Sequence, residues 1–128
     1  DYDDIIDGKI DRVEKDPDGE YVIVDYKTGG KNKEITNLHE SLQLNIYAMG
    51  LKAKKKFGKL PKLISYFYPE KEGQQIFSYE VNQTDIDNTK RKLEEFLKSI
   101  DDGEFGADPD MKKCGWCDYK DLCDESKA

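Results

Sequence analysis

Asp16-Pro17-Asp18-Gly19 constrains this chain more than any other four residues. Proline favours the first central position of a type I turn, and glycine takes the left-handed position that follows. Together they close a three-residue hairpin loop, Pro17-Asp18-Gly19, and so set a register. Asp16 then faces Glu20, Val13 faces Ile23, Asp11 faces Asp25 and Lys9 faces Lys27. The flanks read as strands over residues 5–15, with Gly8 at a bulge or close approach, and 20–28, rich in β-branched and aromatic types. A slip of one residue would send Asp11 and Asp25 to opposite faces.

Periodicity organises the rest. After a polar loop from Thr28 through Gly29-Gly30-Lys31, the spacing predicts a helix over residues 37–57. Asn37 and Glu40 have the spacing of a capping box, and Leu38, Leu42, Ile46 and Met49 form an apolar stripe. Gln43 and Tyr47, four apart, share a neighbouring face. That helix ends in a lysine run (Lys52, Lys54, Lys55, Lys56, Lys59) and Gly58. Alternation predicts a second hairpin, 62–69 with 74–81, turning at Glu70-Lys71-Glu72-Gly73. Thr84 caps a second helix reaching Ile100, with Ile86, Leu93, Leu97 and Ile100 buried. A short helix is expected at 119–123. The order β-β-α-β-β-α predicts an α/β fold with a mixed central sheet flanked by helices.

At 128 residues the chain is long enough for a real core, and its aromatic content argues against disorder. No apolar run approaches the ~20 residues of a membrane span, and no signal peptide is visible, so a cytoplasmic protein without a membrane partner is expected. The abrupt start at Asp1-Tyr2-Asp3-Asp4 suggests a domain excised from a larger protein. A net charge of −7 argues mildly against a protein that coats nucleic acid. The lysine run is a local exception, read either as a solvated helix end or as a guide for a phosphate backbone.

Chemistry concentrates in Val22-Ile23-Val24-Asp25-Tyr26-Lys27. Alternation puts Asp25 and Lys27 on one face, and the register adds Asp11 across the hairpin, with Cβ atoms about 5 Å apart. Two carboxylates that close repel unless a proton or cation lies between them. A hard divalent cation such as Mg²⁺ or Mn²⁺ takes one or two carboxylates plus water and phosphate oxygens, and an adjacent lysine can orient the water or stabilise developing charge. The alternative is a surface Asp–Lys pair of little energetic worth. His39 reads as a surface or capping residue, and Arg12 as either a phosphate contact or a partner for an acid.

Gly8-Lys9-Ile10-Asp11-Arg12-Val13, Val24-Asp25-Tyr26-Lys27-Thr28-Gly29 and Gln43 to Tyr47, in that order, resemble the PD-(D/E)XK nuclease superfamily, most closely its RecB-like branch. That branch includes nuclease domains fused to helicases and CRISPR-associated exonucleases. The resemblance implies a restriction-endonuclease-like core at 1–105 and a cysteine-bearing tail at 106–128. It implies Asp11, Asp25 and the Tyr26 backbone carbonyl as metal ligands, and Lys27 as the catalytic lysine. Gln43 and Tyr47 match a Q-x-x-x-Y element that supports the site and contacts DNA, and Lys54, Lys55 and Lys56 would guide the DNA backbone. The implied function is a divalent-metal-dependent DNA nuclease, an exonuclease of repair or recombination, with DNA and a helicase as partners. The family's His or Glu before the first acid has no counterpart here, since only ten residues precede Asp11. This reads as an N-terminally truncated fragment, whose bared surface could pair two copies into a homodimer.

The three cysteines, Cys114, Cys117 and Cys123, are too few for a closed zinc site of four ligands. Their spacing resembles the last three ligands of the family's iron–sulfur members, which implies a [4Fe–4S] cluster in the parent protein, incomplete in this fragment, with Trp116 and Tyr119 packed around it. Unassembled thiols in a tail are the alternative. Two competing functions remain: a catalytically inactive DNA-binding or scaffold module of the same fold, and an iron–sulfur redox sensor.

Overall fold

The computed structural model describes residues 6–28 and 37–128. The expected strand start at Ile5 and the loop through Gly29, Gly30 and Lys31 lie outside them. The chain divides into two compact units, Asp1–Leu93 and Glu94–Ala128.

In the first unit the turn folds as its chemistry dictates. Gly19 has φ +81°, the Gly19 amide donates to the Asp16 carbonyl at 2.9 Å, and the Asp16 amide donates to the Glu20 carbonyl at 2.9 Å. The Asp16 carboxylate accepts from the Asp18 and Glu20 amides, 2.9 Å each, and from Lys62 Nζ. That Lys62 contact, with the turn amides, holds the Asp16 carboxyl below its ordinary pKa. The antiparallel pair β1 (Arg12–Lys15) and β2 (Tyr21–Tyr26) takes the expected register, Val13 opposite Ile23. The first strand is shorter than expected. The ladder ends at Arg12 opposite Val24, one position before Asp11 would oppose Asp25. There the Asp11 carboxylate accepts from the Tyr26 amide at 3.0 Å, so a side chain replaces the next backbone partner. The expected pairing of Lys9 with Lys27 falls beyond that end.

The expected helix over 37–57 is shorter and starts later. Asn37 sits at φ 51° and makes no side-chain cap; a 3-10 turn, Leu38–Glu40, follows it. Ser41 is the true N-cap of α1 (Leu42–Ala53), with Oγ accepting from the Leu44 amide at 3.4 Å. Lys54 caps the C-terminus, so Lys54, Lys55 and Lys56 lie beyond the helix and are exposed. The buried face is Leu44, Asn45, Ala48 and Leu51, not the expected stripe. Two helical faces are apolar, and the sheet takes the one whose Asn45 finds buried partners: Tyr79 donates to Asn45 Oδ1 at 2.6 Å, and Asn45 Nδ2 donates to the His39 carbonyl at 2.8 Å.

After α1 the chain returns parallel to β2 as β3 (Leu63–Phe67), with Ile23 opposite Ile64 and Asp25 opposite Tyr66. β4 (Ile76–Glu80) completes the expected second hairpin, antiparallel to β3. The result is a mixed four-stranded sheet in the order β1-β2-β3-β4 with helices, an α/β fold. Ile23, Leu44, Ala48, Leu51, Ile64, Tyr79 and Ile86 form the core. Removing these side chains from water at roughly 25 cal/mol per Å² drives the assembly.

The next helix, α2 (Gln83–Asp101), begins in the first unit and ends in the second, and is started by Asn82 rather than Thr84: Asn82 Oδ1 accepts from the Asp85 amide at 2.9 Å. Of its expected apolar face only Ile86 is buried, and Ile100 is 56% exposed. In the second unit, α3 (Met111–Trp116) lies ahead of the helix expected at 119–123, where there is only a turn. Asp110 caps α3, accepting from the Lys112 and Lys113 amides at 2.8 and 2.9 Å, which fixes the helix start upstream of the cysteines. No helix among the described residues is long and apolar enough to cross a membrane.

Candidate active site

β2 carries Asp25 and Lys27 to the sheet face that α1 covers. Ile23 on that face is fully buried, and alternation brings Asp25 to it two residues on. Asp25 is only 3% exposed, though it is a carboxylate. Its Oδ2 lies 2.6 Å from Lys27 Nζ, an ion pair by distance, yet no donor among the described residues is aligned to hydrogen-bond it. A buried carboxylate oxygen so left is costly in a fold selected for stability alone.

Lys27 Nζ donates to Gln43 Oε1 at 2.7 Å, and Gln43 Nε2 donates to the Tyr47 hydroxyl at 3.0 Å. The helix pair Gln43 and Tyr47 therefore meets the strand lysine, as their spacing on one face allows. Burial draws the Lys27 pKa down, but the attraction of Asp25, aided by Tyr66 and Tyr47, outweighs it and the pKa stands above the ordinary lysine value. Lys27 is held as a cation.

Two residues of this cluster were invisible to sequence reasoning. The Tyr66 ring centroid lies 4.9 Å from Lys27 Nζ, and its hydroxyl is 2.8 Å from Ser41 Oγ. Alternation marked Tyr66 as a strand residue, but only the parallel pairing with β2 brings it beside Asp25.

The other expected residues are placed as follows. Asp11 is exposed and bound to the Tyr26 amide. Arg12 pairs with Glu14 and donates to the Tyr26 hydroxyl at 3.0 Å. Lys54 lines a groove of about 410 Å³ with Tyr47, Ile46, Gly8 and Ile10. Gly8 marks the expected close approach, since a Cβ there would lie 3.6 Å from the Tyr47 ring. His39 is more than a surface residue: Nδ1 lies 2.8 Å from Asp85 Oδ2, and its ring packs 4.7 Å from that of Tyr79. Cys114 is buried, whereas Cys117 and Cys123 are exposed. Trp116 and Tyr119 are 88% and 71% exposed.

Among the described residues no three His, Cys, Asp or Glu side chains gather into a group that could hold a metal ion. A cation held by one or two carboxylates and water needs no such group. The buried Asp25 Oδ2, with the Lys27 ammonium as its close neighbour and no aligned hydrogen bond, fits that chemistry.

No curated protein matches this chain. One similar solved structure, described as the crystal structure of SSO0001, is 19% identical, with a TM-score of 0.47 over 91% of this chain and 50% of that one. The chain thus spans about half the length of that protein. The family model of the PD-(D/E)XK nuclease superfamily matches residues 3–124, and the chain belongs to that superfamily.

Proposed function

We propose that this chain is the nuclease core of a divalent-metal-dependent DNA exonuclease of the RecB-like branch, acting in repair or recombination beside a helicase. One observation carries the hydrolytic reading: a buried carboxylate oxygen of Asp25, without a hydrogen bond, beside a lysine held by Gln43. Asp25 and Asp11 would hold Mg²⁺ or Mn²⁺, with the Tyr26 carbonyl as a further ligand. When bound, the ion supplies positive charge against the scissile phosphate and acidifies an attacking water. Lys27, kept protonated, offers N–H donors to that water or to a phosphate oxygen as negative charge develops. Gln43 fixes the reach of the ammonium, and Tyr47 fixes the Gln43 amide so that its oxygen faces Lys27. Lys54, Lys55 and Lys56 would follow the DNA backbone. The RecB-like assignment rests on the ordered motifs around Asp11, Asp25–Lys27 and Gln43–Tyr47.

End-labelled single- and double-stranded DNA, incubated with the protein in Mn²⁺ or Mg²⁺ and in EDTA, tests the proposal. Metal-dependent release of nucleotides from an end, abolished by Lys27→Ala with DNA binding retained, is the expected result. Equal cleavage by that variant would sink the assignment. DNA binding without cleavage by the parent protein would favour an inactive DNA-binding module instead.

A further inference from the structure

Lys27 has two kinds of holder in this structure. One is Asp25, whose carboxylate attracts the ammonium at 2.6 Å. That attraction is at hand only while Asp25 is free of a cation. The other holder does not depend on Asp25. Gln43 Oε1 accepts from Lys27 Nζ at 2.7 Å, and the face of Tyr66 lies 4.9 Å from the same nitrogen. An ammonium over an aromatic face is attracted by the negative face of the ring, more strongly as water is excluded.

The Tyr66 hydroxyl continues the arrangement. It lies 2.8 Å from Ser41 Oγ and donates to Gln43 Oε1 at a long 3.5 Å. Ser41 Oγ also accepts from the Leu44 amide as the N-cap of α1. The donors are consistent in one direction. Ser41 donates to Tyr66, Tyr66 donates to Gln43, and Gln43 Oε1 receives both Tyr66 and Lys27. Gln43 Nε2 is committed to the Tyr47 hydroxyl at 3.0 Å. Reversing the amide would set an NH₂ group against the ammonium. Parallel pairing of Asp25 with Tyr66 puts the ring on the same face as the carboxylate.

We propose that Tyr66 is a positioning residue for Lys27: its ring and its Ser41-braced hydroxyl hold the ammonium and Gln43 in place independently of Asp25. This role rests on the nuclease reading only for its consequence, the rate of cleavage. The holding itself is a property of the folded chain. Without Tyr66, a lysine with four rotatable side-chain bonds would have one neutral acceptor to fix it once Asp25 engages a cation. Misplacing a reacting group by about 1 Å can cost on the order of 100-fold in rate.

The test uses the full 128-residue chain and the variants Tyr66→Leu, Tyr66→Phe and Ser41→Ala. The first readout is the ¹H–¹⁵N signal of the Lys27 ammonium, assigned by its absence in Lys27→Ala. A held ammonium over a ring exchanges slowly with water and is shifted upfield. Tyr66→Leu should abolish that signature, and Tyr66→Phe should keep it. The second readout is single-turnover cleavage in Mn²⁺ with DNA affinity measured separately. We expect a loss of roughly 50-fold in rate for Tyr66→Leu and roughly 5-fold for Tyr66→Phe, each with affinity changed less than about twofold. Ser41→Ala and Tyr66→Phe both break the link between the two hydroxyls, so the losses in the double variant should be less than additive. If Tyr66→Leu does not fold, this cycle decides, and additive losses overturn the proposal. An unchanged Lys27 signal in folded Tyr66→Leu overturns it whether or not DNA is cut. Absent cleavage by the wild type, with the expected change in the Lys27 signal, refutes the nuclease reading and supports the positioning role.

Discussion

Replacing Asp25 by Asn removes one charge from the sheet without changing side-chain volume, so no cavity opens. Lost is the attraction to Lys27 Nζ at 2.6 Å. Relieved is the burial of a carboxylate that is 3% exposed and has an oxygen without a hydrogen bond. Removing one partner of a buried ion pair ordinarily costs about 3–5 kcal/mol, because the other charge is left buried and unpaired. That penalty does not arise here: the Lys27 side chain is 30% exposed and keeps Gln43 as acceptor. Against the lost attraction stands the relieved burial of one carboxylate, a penalty of several kcal/mol. An asparagine amide left partly unsatisfied takes back about 1–3 kcal/mol of that. We expect Asp25→Asn to be more stable than wild type by about 1 kcal/mol, a rise in Tm of about 3 °C by calorimetry in EDTA. In Mn²⁺ at about 100 times Kd the wild type should gain about 2.7 kcal/mol, and the variant nothing. A loss of about 2 kcal/mol or more in EDTA would refute the reasoning, for it would make Asp25 a structural anchor rather than a ligand kept at a cost.

Tyr79→Phe leaves the buried Asn45 Oδ1 without its donor and should lower unfolding free energy by about 1–3 kcal/mol in urea titration; an unchanged midpoint would mean that Asn45 finds another partner. Asp16 has a lowered folded pKa, so its carboxylate stabilises the turn above its ordinary value of 3.8, and that contribution disappears as pH falls through the lower folded value. The stability gap between wild type and Asp16→Asn should therefore be full at neutral pH and shrink below about pH 4; a gap that widens in acid contradicts the sign. Thiol alkylation followed by mass spectrometry should label exposed Cys117 and Cys123 well before buried Cys114; equal rates would show Cys114 to be open to solvent.

What could be read in advance follows the range of the interaction involved. The hairpin register was legible because turn chemistry at Pro17-Asp18-Gly19 acts over a few residues and strands alternate with period two. The same periodicity set Asp25 and Lys27 on one face, and helix periodicity set Gln43 beside Tyr47. The end of β1 was not legible, because the Asp11 carboxylate competes with the backbone for the Tyr26 amide, and that outcome depends on where the two strands lie. Nor was the start of α1, where Asn37 and Ser41 offer similar local caps. Ser41 prevails in the fold, where its hydroxyl meets Tyr66 across the sheet as well as the Leu44 amide. The buried face of α1 turned on Asn45, a polar residue that periodicity alone would place in water. By itself, then, the sequence determined the hairpin, its register and the residues that share each face. Tertiary structure alone decided which faces meet: the parallel pairing of Asp25 with Tyr66, and the seating of Lys27 between Gln43 and that ring. Pairing across a long crossover is settled by burial summed over the whole sheet, and no short window of residues carries that sum.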